Sequence, residues 1–417
     1  MSSSNSKSAV APFVGYRFQA GDRLQDLIAP PYDVISVEER GALAERNIHN
    51  IVHLILPAGD EDKYERAGKL FAKWLEQGVL QPDSEESVYV VQQDFTAPGG
   101  GVYTRTGVIG AVLVEPMGTG VVKPHEKTHA GPKQDRLALM RATGAMFEAL
   151  LMLAPDDDGK LQQGLVEVTG HRPLVECELN GVDVRLWRVS AVEGRKLAEA
   201  AGCGPLYMAD GHHRYETAGA YMDEAPGADR TLALVVPVGD PGLKVLPTHR
   251  VIYGDRIDID PFIDELRERF HLRELSSEEN CVAHLADLKD RGTACVVVRP
   301  SGNALALLLK GGASLGDLPF VNEPAVASLD VARVDEMIVK RLLHMAGSEA
   351  WLGYSADPDA LIGEIARGEA AAGVLLNPTD VDQVLAVADA GAVMPQKATY
   401  FLPKVPSGLV TLKHHGS

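Results

Sequence analysis

The sequence predicts an α+β fold with mixed sheets, and three observations carry that reading. β-rich runs and helical stripes follow one another in mixed order rather than in strict alternation. "LVECELNGVDVRLWRV" (174–189) is two β-rich runs around Asn180-Gly181, the signature of a tight antiparallel hairpin. "PLYMADGHHRYETAGAYM" (205–222) then reads as strand, turn and helix. With 417 residues, 45% of them apolar, the chain can bury a sizeable core and build two or three domains.

The elements follow in order. "MSSSNSKS" is polar and is expected to be disordered, so residues 1–10 are set apart. "APPYDVIS" (29–36) opens on two prolines and is extended. Ser36 with Glu39 forms a capping-box start for a helix near 37–46. Tyr64, Ala67, Phe71, Trp74 and Leu75 share one helical face, which Gly78 ends. Residues 87–95 and 105–115 read as strands. Pro132 suits the first turn of a helix carrying Leu137, Met140 and Gly144. A helix near 191–201 precedes the strand 205–209, and a strand at 231–238 ends in an Asp-Pro-Gly turn. Beyond a core of 11–256, residues 257–390 form an accessory αβ segment. Its helices are expected near 261–271, 277–289, 331–345, 357–367 and 379–389, and its strands at 294–299, 304–310 and 371–376. The proline-bearing tail, 391–417, is expected to run extended and pack back on the core; Lys397 and Lys404 in it could close over the site, but the simpler expectation is that each is solvent-exposed.

Composition narrows the function. A net charge of −18 argues against a nucleic-acid-binding surface, which needs clustered Lys and Arg. No apolar run approaches the ~20 residues of a membrane helix. No secretory signal is recognised, and Cys177, Cys203, Cys281 and Cys295 are widely spaced. They read as reduced thiols, and the protein as cytoplasmic. A homodimer is compatible with all of this.

Local basic clusters stand out against that acidity. In "VKPHEKTHAGPKQDR" (122–136), His125-Glu126-x-x-His129 matches the zinc-protease pattern. That chemistry needs both histidines on one turn of a continuous helix, and Gly131-Pro132 interrupts it at once. No zinc is expected. Read as extended chain, Lys123, His125, Lys127 and His129 project to one side, with Thr128 between them and Lys133, Arg136 and Arg141 beyond. Such crowding favours an anion, the alternative being a solvated surface loop with scattered ion pairs.

The second cluster is stronger. Asp210-Gly211 ends a strand and opens a helix whose first N–H groups have no internal partners. His212, His213 and Arg214 crowd an end that already carries about half a positive charge. A phosphate held by Gly211, His212, His213 and Arg214 resolves that conflict. Asp210 is a candidate to orient a histidine or hold Mg²⁺. His249 and Arg250 in "LPTHRV" form a weaker third candidate for phosphate.

"APPYDVIS", "KPHEKTHAGPKQDRLALMRAT", "YMADGHHRYETA", "LPTHR" and "MPQKATYFLPKVPSGL" together resemble the domain-of-unknown-function family 1015 over nearly the whole chain. The Asp-Gly-His-His-Arg turn also resembles the nucleotide-phosphate motif of the ParB/sulfiredoxin superfamily. That superfamily holds nucleotide-hydrolysing partition proteins, sulfiredoxins and free-serine kinases. Sulfiredoxins place a catalytic Cys in this turn, which the present chain lacks; the free-serine kinases carry an Asp-Gly-His type. The resemblance implies a ParB/sulfiredoxin-like nucleotide-binding core and a phosphotransferase acting on free L-serine or a similar small hydroxyl-bearing metabolite. ATP or ADP with Mg²⁺ would be the donor. A nucleotide-hydrolysing regulatory switch is the alternative, and a zinc hydrolase a remote one. The catalytic candidates are Glu126, Asp33, Asp210 and His213, with Glu126, the one carboxylate inside the cationic loop, assigned as the general base and Asp33 as its rival.

Overall fold

The computed structural model describes residues 8–414 except 20, 127–129, 255–256, 277–278, 301 and 349–350. The chain forms two compact units, one of residues 1–124, 128–244 and 401–417, the other of 125–127 and 245–400. The architecture is mixed α+β, as the order of elements predicts.

The first unit is built on a nine-stranded mixed sheet. Its order is Val122–Lys123, Leu206–Asp210, Leu150–Ala154, Arg230–Pro237, Val102–Leu113, Ser87–Thr96, Val182–Ser190 and Val175–Leu179, with Val10–Ala11 added beside Val102–Leu113. Asn180 and Gly181 both take positive φ, 52° and 76°, which closes the hairpin with the twist its strands need. The helices Lys160–Thr169 and Ala191–Ala201 bury Leu161, Leu165, Leu197 and Ala198 against Val88, Val90, Val108 and Val112. Lys63–Glu76, Ala130–Thr143 and His212–Glu224 pack as neighbouring helices. In the helix Val37–Arg46, Ser36 accepts from the Glu39 N–H at 3.1 Å. The Glu39 side chain accepts from Asn180 instead of completing the capping box. A four-stranded sheet runs Leu80–Pro82, Gly15–Phe18, Thr411–Lys413, Ala145–Met146.

The second unit is a six-stranded sheet in the order Phe270–Leu275, Ala304–Leu309, Ala294–Val298, Ala372–Leu376, His249–Ile252, Leu352–Ser355. Every pair in it is antiparallel. Successive side chains of a strand point to opposite faces. Cys295 and Val297 accordingly enter one core with Leu305 and Leu307, while Ala294, Val296 and Val298 enter another with Ala304 and Ala306. Both faces are covered by helices, which explains why these strands read as continuous apolar runs.

Three features depart from expectation. The helix expected over 261–271 is Asp260–Arg269, and Phe270 turns extended (φ −119°, ψ 149°) to begin a strand at once. The helix expected over 331–345 contains a π turn at Asp335–Val339. The second sheet takes the strand His249–Ile252, which precedes residue 257, because it pairs with Leu352–Ser355 and Ala372–Leu376.

Candidate functional site

The strand Leu206–Asp210 lies between Val122–Lys123 and Leu150–Ala154, with an irregular register between Met208 and Asp210. Its apolar residues are buried, and Asp210 emerges at its end. Gly211 follows at φ 97°, ψ 28°. A Cβ there would lie 2.5 Å from Leu150 Cδ2 and 3.1 Å from Arg214 Nη2, so the turn has room only for glycine. The N-cap of the helix His212–Glu224 is thus a glycine, which has no side chain to cap it. Asp210, a good capping residue by type, does not cap it.

Asp210 is occupied otherwise. Arg214 Nη2 reaches its Oδ2 at 2.6 Å, and Lys404 Nζ reaches its Oδ1 at 2.5 Å. Burial alone would raise the Asp210 carboxyl. The charges of Lys404 and Arg214 outweigh it and hold the group well below the usual carboxylate range. His212, itself buried, acts in the same direction.

Arg214 also donates from Nη1 to the Ala149 carbonyl at 2.9 Å. Burial opposes its charge; the carboxylates of Asp210, Glu148 and Asp33 more than restore it. Glu148 is buried and accepts from the Tyr32 N–H at 2.9 Å and the Ser407 hydroxyl at 3.2 Å. Arg136 stands 3.7 Å from Glu148, donates to the Ile55 carbonyl and to Asp135, and stacks over the Tyr32 ring at 4.1 Å. Burial and then Asp33 push the Tyr32 hydroxyl up to about 12. A cavity of about 30 Å³, room for about one water, is lined by Arg136, Glu148, Arg214 and Thr217 among others.

The first unit thus assembles Asp33, Arg136, Asp210, Gly211, His212, His213 and Arg214, with Lys123 Nζ over the Tyr207 ring at 5.5 Å. Glu126 and His125 belong to the second unit. There Glu126 Oε1 accepts from the Lys397 N–H at 2.8 Å, and buried His125 lies 3.4 Å from the Thr399 hydroxyl. Lys127, Thr128 and His129 lie outside the described residues. Neither His125 nor Glu126 is helical, and the next helix starts at Ala130, so the pair lacks the setting zinc proteases require. Among the described residues, no group of three or more His, Cys, Asp or Glu is placed to hold a metal.

His249 and Arg250 also belong to the second unit, and their chemistry corrects the expectation of a phosphate site. Arg250 is fully buried. Its five N–H donors go to both oxygens of Asp335 and to the carbonyls of Thr248, Gln396 and Lys397. His249 Nδ1 accepts from the Leu376 N–H at 3.1 Å. Burial, then Arg250, lowers its pKa to about 4, so the ring is neutral at pH 7. Arg250 has no donor left for an anion, and His249 carries no charge to attract one.

Sequence reasoning missed two contributors and undervalued a third. Lys404, a candidate to close over the site but expected in solvent, is an ion-pair partner of Asp210. Glu148 holds Tyr32, Ser407 and Arg136 together. Arg105 is fully buried, donating to Gln93 Oε1 at 2.5 Å and the Leu402 carbonyl at 3.1 Å. Burial lowers its pKa to about 10 against the opposing charges of Asp240 and Asp210, and it stays charged at neutral pH. A buried Arg in a strand, "VYTRTGV", is the one signal that would have drawn the eye.

No curated protein matches the chain. Solved structures similar to it include a free serine kinase in complex with AMP, at 16% identity over 70% of this chain and 88% of that one, with a TM-score of 0.35. A conserved hypothetical protein from Pyrococcus furiosus is similar at 15% identity over 70% and 91% of the two chains, TM-score 0.34. SbnI with a C-terminal truncation, from Staphylococcus aureus, is similar at 12% identity over 71% and 84%, TM-score 0.36. The family described as "Protein of unknown function (DUF1015)" matches residues 10–332, more than half the sequence, and the chain belongs to that family.

Proposed function

We propose that the protein is a small-molecule phosphotransferase that binds the phosphates of ATP or ADP at the Asp210–Arg214 turn. The observation that carries this reading is the opening of the helix His212–Glu224: a left-handed glycine at the N-cap, with the cations Arg214 and Lys404 both on the Asp210 carboxylate before it. Helix N–H groups and an arginine are the donors a phosphate needs. Phosphoryl transfer itself asks for positioning and charge stabilisation rather than covalent help from the protein.

The acceptor is a small alcohol; free L-serine is suggested by the resemblance of the turn to the ParB/sulfiredoxin motif of free-serine kinases. The serine hydroxyl oxygen attacks the terminal phosphorus, the bond to the bridging oxygen breaks, and the nucleotide leaves one phosphate shorter. The hydroxyl proton passes to a carboxylate. We assign that role to Asp33, which is exposed and acts electrostatically on Arg214 within the first unit. Mg²⁺ would need few protein ligands beside the phosphates, and Asp210 would supply a carboxylate oxygen once Lys404 releases it.

Phosphorus NMR of purified protein with Mg²⁺, L-serine and ATP or ADP tests the reading. O-phosphoserine is expected, with turnover lost in Asp33→Asn and retained in Glu126→Gln. The reverse pattern moves the base to Glu126. Nucleotide consumed without a new phosphoester would replace the kinase by a hydrolysing switch.

A further inference from the structure

The tail lysine at the phosphate turn has a geometry that goes beyond an ion pair. Lys404 Nζ and Arg214 Nη2 take one oxygen each of the Asp210 carboxylate, immediately before Gly211 and the helix start. The two cations are anchored differently. Arg214 is buried and also tied to the Ala149 carbonyl. In Lys404 it is the backbone that is clamped. Gln93 Nε2 donates to the Lys404 carbonyl at 3.0 Å. Arg105 holds Gln93 and the Leu402 carbonyl. On the far side, the Ser407 hydroxyl shares its proton between the Pro30 carbonyl at 3.1 Å and Glu148 at 3.2 Å. The flexible four-carbon side chain remains the movable part. A phosphate arriving at the helix N-terminus meets an ammonium already delivered to its edge and held there by a carboxylate.

We propose that Lys404 is a phosphate ligand of this site, supplied by the C-terminal segment, and that Asp210 is the resting partner of its ammonium. The inference rests on the phosphate-binding reading above. Lys404 lies outside residues 10–332, the stretch that matches the family. As a compact charge with three donors, lysine can exchange one carboxylate oxygen for a phosphate oxygen without moving the backbone.

Calorimetric titration of the full chain with ADP and with inorganic pyrophosphate, in the presence of Mg²⁺, tests it. Lys404→Met should weaken both by about 10- to 100-fold, the equivalent of one charge-assisted contact. Lys404→Arg should restore most of the affinity. Lys404→Gln, which keeps a donor to Asp210 without the charge, should lose affinity while retaining the near-ultraviolet dichroism of the wild type. Wild-type affinity in Lys404→Met or Lys404→Gln overturns the proposal. So does a loss that Lys404→Arg fails to rescue, since it would mark a structural role. Failure of the wild type itself to bind ADP and pyrophosphate overturns the phosphate reading of the turn, a different result from the first two.

Discussion

Two His-Arg pairs in this chain look alike in sequence and differ in what their surroundings leave them. His213-Arg214 follows a strand end and opens a helix; His249-Arg250 lies on a strand. Arg250 satisfies every donor with Asp335 and three carbonyls, and its neighbour His249 is neutral and used as an acceptor. Arg214 shares a carboxylate with a lysine where a helix opens on a glycine. The difference teaches that a cation's availability is set by how many protein acceptors surround it. Local sequence reports the cation but not the acceptors.

The comparison breaks most visibly at Arg250. Arg250→Ala leaves Asp335 half-buried without its partner, and should cost about 3–5 kcal/mol in urea unfolding. A cost below about 1 kcal/mol would show that the pair is not structural. Next comes acid. His249 is neutral in the fold with a pKa of about 4, while in the unfolded chain it titrates at about 6.5. As pH falls through that interval the unfolded state takes up the proton first, so stability present above pH 6.5 drains away toward pH 4. The loss by pH 4.5 should be about 2–3 kcal/mol. His249→Asn keeps an acceptor for the Leu376 N–H and should flatten that slope; an unchanged slope would assign it to another group. The Asp210 pairing, with a depressed carboxyl pKa, is lost only at lower pH and does not confuse this window.

Arg214→Ala sharpens the contrast from the other side. It should weaken ADP binding by about 1.5–3 kcal/mol in calorimetry, where Arg250 variants that remain folded should not. Gly211→Ala is the smallest test. Its φ of 97° is left-handed, which costs a residue with a Cβ about 1–2 kcal/mol. The effect should appear in thermal unfolding. A neutral result would mean the turn relaxes away from the Leu150 side chain.

Much of the fold was legible where a signal is local. Ser36 announced its helix because capping needs only residues within one turn, and Asn180-Gly181 announced its hairpin because both demand positive φ. The strand Leu150–Ala154 and the helix Lys160–Thr169 went unremarked. Five consecutive buried residues carry no period, and a helix of ten residues with one apolar stripe is faint. Phe270 was read as the end of a helix because nothing in its own stretch announces that the next strand pairs with Ala304–Leu309. The site divides the same way. The Asp210–Arg214 turn was visible in five residues. Lys404 sits 194 positions from Asp210, and Asp335 lies 85 from Arg250; pairings at such separations leave no trace in a single sequence.

The strand Thr411–Lys413 lies between Gly15–Phe18 and Ala145–Met146 in the small sheet of the first unit. A ribosome delivers the chain from one end, and domains begin folding as they emerge. The first unit must therefore wait, one strand short, while residues 245–400 are made. During that interval the residues of the Asp210–Arg214 turn have been made, but the lysine that pairs with Asp210 has not. A nascent or prematurely stopped chain carries those residues with an unclosed sheet beside them. Only a chain made through residue 413 brings the turn and its tail together, so translation itself sets the moment at which Asp210 gains its second cation.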